Sequence, residues 1–137
     1  MLARLLGRCE RRRLQRGTDL LRPGESNETI YVLLSGELMV YLSPDTGSSQ
    51  GIPVDVGECT GEFSAIDQQP VSALVRCERE AEVLCLQGAF FWKRLVPLPG
   101  VARNLMRGLT QRARTANNLT LEALRERLEL EHLRRQL

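Results

Sequence analysis

The chain has 137 residues, 42% of them apolar, which suits one ordinary domain with a filled core. Nineteen basic against 17 acidic side chains leave a net charge of only +2, and aromatics are 4%, poor material for the basic stripes and stacking rings of a direct nucleic-acid binder. One His and the four cysteines Cys9, Cys59, Cys77 and Cys85 form neither a CxxC pair nor a usual zinc set, so no metal is expected and the thiols read as reduced, partly buried side chains of a cytoplasmic protein.

Residues 1–7 are predicted to form a short amphipathic helix with Leu2, Leu5 and Leu6 on one face. It is too short, and with Arg4 too charged, to span a bilayer or to act as a signal, and no membrane segment is expected elsewhere. Arg8, Arg11, Arg12, Arg13 and Arg16 follow closely. They read as a solvated first strand with Leu14 turned inwards, or as a basic patch for phospholipid or DNA; charge runs mostly mark exposed faces, which favours the strand. Gly17, Pro23, Gly24 and Asn27 are turn formers that delimit a short strand at 19–21. Residues 29–34, β-branched and aromatic, make the next strand, closed by Ser35-Gly36. Residues 37–42 resume at once, and two strands about a Gly corner imply antiparallel pairing.

Residues 43–51 are polar and Gly-rich, a surface loop, and 52–56 form a strand that tolerates Pro53 only near an edge or at its start. A connector, 57–61, then runs into one helical turn at 62–66, a polar turn at 67–70 and a strand at 71–77. A helical turn opening beside Gly61 leaves its first amide N–H groups unpaired, a natural seat for an anion. Residues 80–87 close the sheet with Ala81, Val83 and Cys85 on one face. Several short strands with helices confined to the ends define a mainly β chain with α caps, a β-sandwich or jelly roll.

From residue 89 the period becomes helical. Residues 89–96 form one short helix stopped by Pro97 and Pro99, and its Phe90, Phe91 and Trp92 read as packing onto the roll rather than as a binding cage. Residues 101–137 then run without proline for about 55 Å at helical rise, longer than a domain of this size packs against itself. Leu105, Leu109, Arg112, Ala116, Leu119 and Ala123 keep a 4-3-4-3-4 spacing. Leu121, Leu124 and Leu128, then Leu130, Leu133 and Leu137, make further seams, so the apolar stripe migrates as on a helix that passes from the roll to a partner helix. A parallel homodimer is the economical reading. Residues 133–137 stop in mid-pattern without a Gly cap, which points to an output domain beyond Leu137. The expected division is a β-roll with flanking helices at 1–100 and a dimerisation helix at 101–137.

Gly61-Glu62, followed after a hydrophobic turn by Pro70-Val71-Ser72-Ala73, resembles the phosphate-binding cassette of cyclic nucleotide-binding domains, in which Gly-Glu precedes an Arg-Ser/Ala-Ala run. Residues 23–42, PGESNETIYVLLSGELMVYL, are similar to the Pro-Gly…Tyr-Val-x-x-x-Gly segment of the same family, and the likeness covers nearly all of residues 1–120. The resemblance implies an eight-stranded β-roll with a short N-terminal helix, a hinge helix at 89–96 and a long C-terminal helix. It assigns Gly61 and Glu62 to a ribose or similar diol, and Ser72 with the amides near Phe63 and Ser64 to the anion, beside Ala73. Asn117 and Asn118, on the helix that covers the pocket in the family, meet a base edge or are ordinary polar positions on an exposed helix.

This chain keeps the Glu and loses the Arg, whose position is Val71. Arg76 lies an odd offset along the same strand and faces the other way. Losing one side of a buried charge-assisted contact costs about 2–5 kcal/mol, roughly thirty to several thousand fold in affinity, so cyclic AMP and cyclic GMP are expected to bind weakly or not at all. Residues 64–77, SAIDQQPVSALVRC, with residues 101–119 and the Leu-rich helix, also look like the input domains placed before bacterial diguanylate cyclase (GGDEF) domains, which commonly lack this Arg. The implied job is control of cyclic di-GMP synthesis through dimer geometry. The chain is thus expected to be a non-catalytic regulatory domain with no cofactor, a nucleotide or other small molecule being its candidate ligand. A ligand-free structural dimerisation module and the ligand-binding half of a catabolite-activator-like transcription regulator stay open; an enzyme finds no nucleophile–base pair or metal cluster to use.

Overall fold

The computed structural model describes residues 2–41 and 51–136. Met1, Leu137, the last residue of the strand expected at 37–42 and nearly all of the expected loop at 43–51 lie outside the described residues. The elements are α1 (Leu2–Leu6), β1 (Glu10–Leu14), β2 (Asp19–Leu21), β3 (Thr29–Tyr41), β4 (Ile52–Val54), β5 (Cys59–Thr60), α2 (Glu62–Asp67), β6 (Leu74–Gln87), α3 (Gly88–Phe90) continuing into a π turn (Phe91–Leu95), and α4 (Val101–Gln136). All strand pairs are antiparallel. The order is β1-β6-β3-β4, with β2 also on β6 and β5 also on β3.

Six strands stand among the described residues where eight were expected. The difference lies in β3 and β6, each of which runs through a place where the sequence looked broken. Residues 29–34 and 37–41 do not pair with one another; they form one strand, and both halves pair with β6. Gly36 takes φ +87°, and a Cβ built there would lie 2.1 Å from the Glu80 carbonyl oxygen, so the glycine serves as a bulge pressed against β6 and not as a hairpin corner. The register shifts between Leu33 and Leu38 are the mark of that bulge. Likewise the strands expected at 71–77 and 80–87 are one, β6, which starts only at Leu74. β5, two residues long, lay hidden in the expected connector and pairs with Tyr31 and Val32. Pro53 sits in β4, which pairs with β3 alone, as a residue without an N–H requires.

The core is built from the inward faces of these strands: Leu14, Leu21, Leu33, Leu38, Val75, Cys77 and Val83 are all buried. Leu14 is the single buried residue of β1. On its exposed remainder Arg11 and Arg13 meet Glu82 and Glu80 of β6 at 3.4 and 3.8 Å, the solvated-strand reading of the arginine run. Of the aromatic trio, Phe91 is buried, Phe90 half-buried and Trp92 exposed, with the Phe91 and Trp92 rings edge to face at 5.7 Å. Phe91 packs into the roll, while the more exposed Trp92 rests on Phe91 and is held to α2 through its indole N–H.

The chain falls into two compact units, Met1–Leu98 and Pro99–Leu137. The second is essentially α4, 36 residues with none buried. Met106, Leu121, Leu124, Leu128, Leu130 and Leu133 are exposed along it. Thr110, Thr115 and Thr120 donate their hydroxyls to the carbonyl oxygens four residues earlier, so they need no outside partner.

Candidate functional site

The site grows from a single glycine. Gly61, at φ +83°, turns the chain out of β5 and into α2, and a Cβ there would lie 2.6 Å from the Thr29 carbonyl oxygen. A side chain is excluded twice over, by conformation and by space. Asn27 fixes the same corner: its Nδ2 donates to the carbonyl oxygens of Thr29 at 2.9 Å and Gly61 at 3.2 Å, while its Oδ1 accepts the Thr29 N–H at 3.2 Å. Sequence reading treated Asn27 as a turn former only. Its amide is the strap that ties the cassette to the start of β3.

Directly after this corner, Glu62 is 2% exposed and Ser64 5%, both polar side chains taken into the protein by a six-residue helix, while Phe63 on the opposite side is 50% exposed. Burial of a carboxylate at such a place calls for hydrogen-bonded compensation and marks the position as purposeful. Gln68 ends α2 in a left-handed conformation, with its N–H on the Ser64 carbonyl oxygen at 3.0 Å and its Nε2 on that of Ala65 at 3.2 Å. The Ala65 oxygen also accepts the indole N–H of Trp92 at 3.2 Å. The π turn after α3 is thereby bonded to the cassette helix, a contact no spacing in the sequence announced.

Val71 comes next. Its backbone is clamped in both directions, N–H to the Glu25 carbonyl oxygen at 2.9 Å and carbonyl oxygen from the Gly24 N–H at 2.8 Å. Its side chain, 7% exposed, belongs to the hydrophobic core. Ser72 is exposed and Ala73 half-buried. The turn of residues 21–29 therefore holds both halves of the cassette: Gly61 with the helix it opens, and the segment around Val71. Asn117 and Asn118 belong to the second unit, both exposed on α4.

Arg76 is engaged elsewhere. It donates Nε–H to Asp19 Oδ1 at 2.7 Å, with Arg22 adding a looser contact to the same carboxylate at 3.6 Å. The Arg76 hydrogen bond holds Asp19 below the usual carboxylate value, and Asp19 in turn raises Arg76. Nearby Tyr41 donates its hydroxyl to Glu78, a bond that pushes the phenol upwards. Burial raises the thiols of Cys77 and Cys85, which makes them weak nucleophiles. Among the described residues no cluster of His, Cys, Asp or Glu could hold a metal ion, and no helix is long and apolar enough to cross a membrane.

With a helix-opening Gly-Glu pair, a buried carboxylate and an antiparallel roll in place, the chain meets its family: residues 11–95 match the cyclic nucleotide-binding domain, and the chain belongs to that family. Among solved structures it is similar to the catabolite activator protein of Thermus thermophilus, with TM-score 0.74 and 27% identity over 90% of this chain and 58% of that one. It is similar also to an EAL enzyme in its cAMP-bound form, with TM-score 0.56 and 25% identity over 80% of this chain and 30% of that one. A curated relative is a putative potassium channel protein of Rhodopseudomonas palustris, 26% identical over 121 residues, 88% of this chain. The chain spans 29% of that protein's length and less than two thirds of either solved chain.

Proposed function

We propose that this chain is the regulatory input module of a cytoplasmic bacterial signalling protein, in which a small molecule or partner segment beside α2 alters how two copies of α4 pair. The observation that carries the reading is Val71: an apolar side chain built into the core at the position where the family's motif places the cation for the cyclic phosphate. A site that retains the buried Glu62 but has valine at that position favours a ligand recognised through hydroxyls and hydrogen bonds over one recognised through a phosphate charge. Gly61, Glu62, Phe63, Ser64, Ser72 and Ala73 are its proposed contacts, with Asn117 and Asn118 candidates for a base edge. Leu105, Leu109, Ala116, Leu119, Leu121, Leu124 and Leu128 are the proposed dimer seam.

The output, by the sequence resemblance, is a diguanylate cyclase following Leu137, and the job is control of cyclic di-GMP synthesis. A catabolite-activator-like transcription regulator is the second reading, supported by the likeness to the Thermus thermophilus protein over 90% of this chain. The test separates a sensor from a purely structural dimerisation module. The sole tryptophan, Trp92, donates to the cassette helix, so its fluorescence reports on that helix directly. Titration with a panel of nucleosides, nucleotides and neutral metabolites is expected to move that emission and to raise the melting temperature for at least one uncharged hydroxyl-bearing compound. At a hundredfold over its dissociation constant such a ligand stabilises by about 2.7 kcal/mol. Silence in both readouts across the panel refutes the sensor.

A further inference from the structure

A second feature of the first unit lies outside the cassette residues, on α1 and the π turn. A shallow cavity of about 300 Å³ is lined by Arg4, Leu5, Arg8, Lys93, Arg94 and Leu98. Four cations and no carboxylate line it. The chain's turn after α1 carries Arg8 one turn beyond Arg4, through the Arg8 N–H on the Leu5 carbonyl oxygen at 3.2 Å, and the π turn brings Lys93 and Arg94 to the same cavity.

At and just beyond the sheet, Arg11, Arg13, Arg22 and Arg76 each meet a carboxylate within 3.8 Å, while Arg12, Arg16 and Arg79 stand singly on the exposed surface and do not line this cavity. None of the four cations at the cavity forms an ion pair with a described residue. With 17 acidic residues available in the chain, composition does not force this. Like charges gathered in one concavity repel, and a cleft lined by one sign of charge focuses its field on an incoming counter-ion. Beneath them Leu5 is buried and Leu98 half-buried, an apolar floor under a cationic rim.

We propose that this cavity is a binding site for a multiply charged phosphate group, carried on a lipid or free in solution and distinct from the cassette. Guanidinium groups bind phosphate oxygens in pairs and an ammonium adds a point charge, which matches three Arg and one Lys. The volume is at the lower end of ligand pockets, about 300–1,000 Å³, so it takes a phosphorylated headgroup or a free pyrophosphate and not a whole dinucleotide. The source of the phosphate, lipid or free, is what the two arms of the experiment decide.

In one arm, inorganic pyrophosphate is titrated into the full chain by calorimetry at low and high salt. In the other, the chain is sedimented with phosphatidylcholine vesicles with and without phosphatidic acid. Each arm compares the unmodified chain with the Lys93→Glu/Arg94→Glu variant and with Arg12→Glu/Arg16→Glu, an equal charge change on and beside β1. Unchanged thermal melting confirms that both variants fold. Binding in either arm that weakens at least about tenfold in the first variant and is held in the second supports the site, and names its source by the arm. Equal weakening in both variants means attraction by overall charge and overturns the proposal, as does the absence of binding in both arms. Neither outcome touches the cassette, whose residues are unaltered.

Discussion

Asn27 is where the candidate site is most exposed to a single substitution. Its amide makes three hydrogen bonds around the Gly61 corner, and Asn27→Ala leaves partly buried carbonyl oxygens to find other donors. A loss of about 1–2 kcal/mol in urea denaturation is expected, with a change in Trp92 emission, since the loosened helix carries the oxygen that Trp92 holds. Asp19 offers a test by pH. Its pKa is lowered in the folded chain by the hydrogen bond from Arg76. Its stabilising contribution is therefore present above the unfolded value of about 3.9 and is lost as pH falls through the lower folded value. Melting curves below pH 4 or so should fall more steeply for the natural chain than for Asp19→Asn. A difference between the two that does not vary with pH contradicts the assignment.

Among elements, β3 and β6 carry the fold, and the close approach of the β3 bulge to β6 depends on Gly36. Gly36→Ala forces a left-handed conformation on a residue with a Cβ and drives that carbon into the Glu80 carbonyl. The conformation alone costs about 1–2 kcal/mol, so a total loss above about 2 kcal/mol is expected, measurable by urea denaturation. The same glycine shows what could be read from the residues and what could not. α1, β1, β2 and α2 stood out because short periodic runs were bounded by turn formers. The continuity of β3 through Ser35-Gly36, and of β6 through residues 78–80, depends on ladder bonds between distant segments, and no local pattern encodes those. β5 was missed for the same reason: two residues in strand geometry owe it entirely to their partners Tyr31 and Val32. The Gly61 corner was legible as a glycine opening a helical turn. The strap from Asn27 and the indole bond from Trp92 to Ala65 were not, because side chains 34 and 27 residues from their partners leave no spacing signal.

At the scale of the whole molecule, α4 exposes leucines over more than three turns, Leu121, Leu124, Leu128, Leu130 and Leu133. A lone helix with that apolar load gains by pairing. If the seam is a dimer interface, sedimentation equilibrium gives a dimer for the natural chain, and Leu121→Gln with Leu124→Gln and Leu128→Gln shifts it towards monomer without changing the melting of the first unit. A monomer at all concentrations removes the pairing mechanism. For the pocket, we propose that the cation of the family's motif has been lost, the core residue Val71 standing at the position that the sequence resemblance gives to arginine. Calorimetric titration of the natural chain with cyclic AMP and with cyclic GMP tests it most directly. No measurable heat is expected for either, in keeping with the roughly thirty-fold or greater loss from one missing charge-assisted contact. Binding of either nucleotide at micromolar or tighter affinity contradicts it.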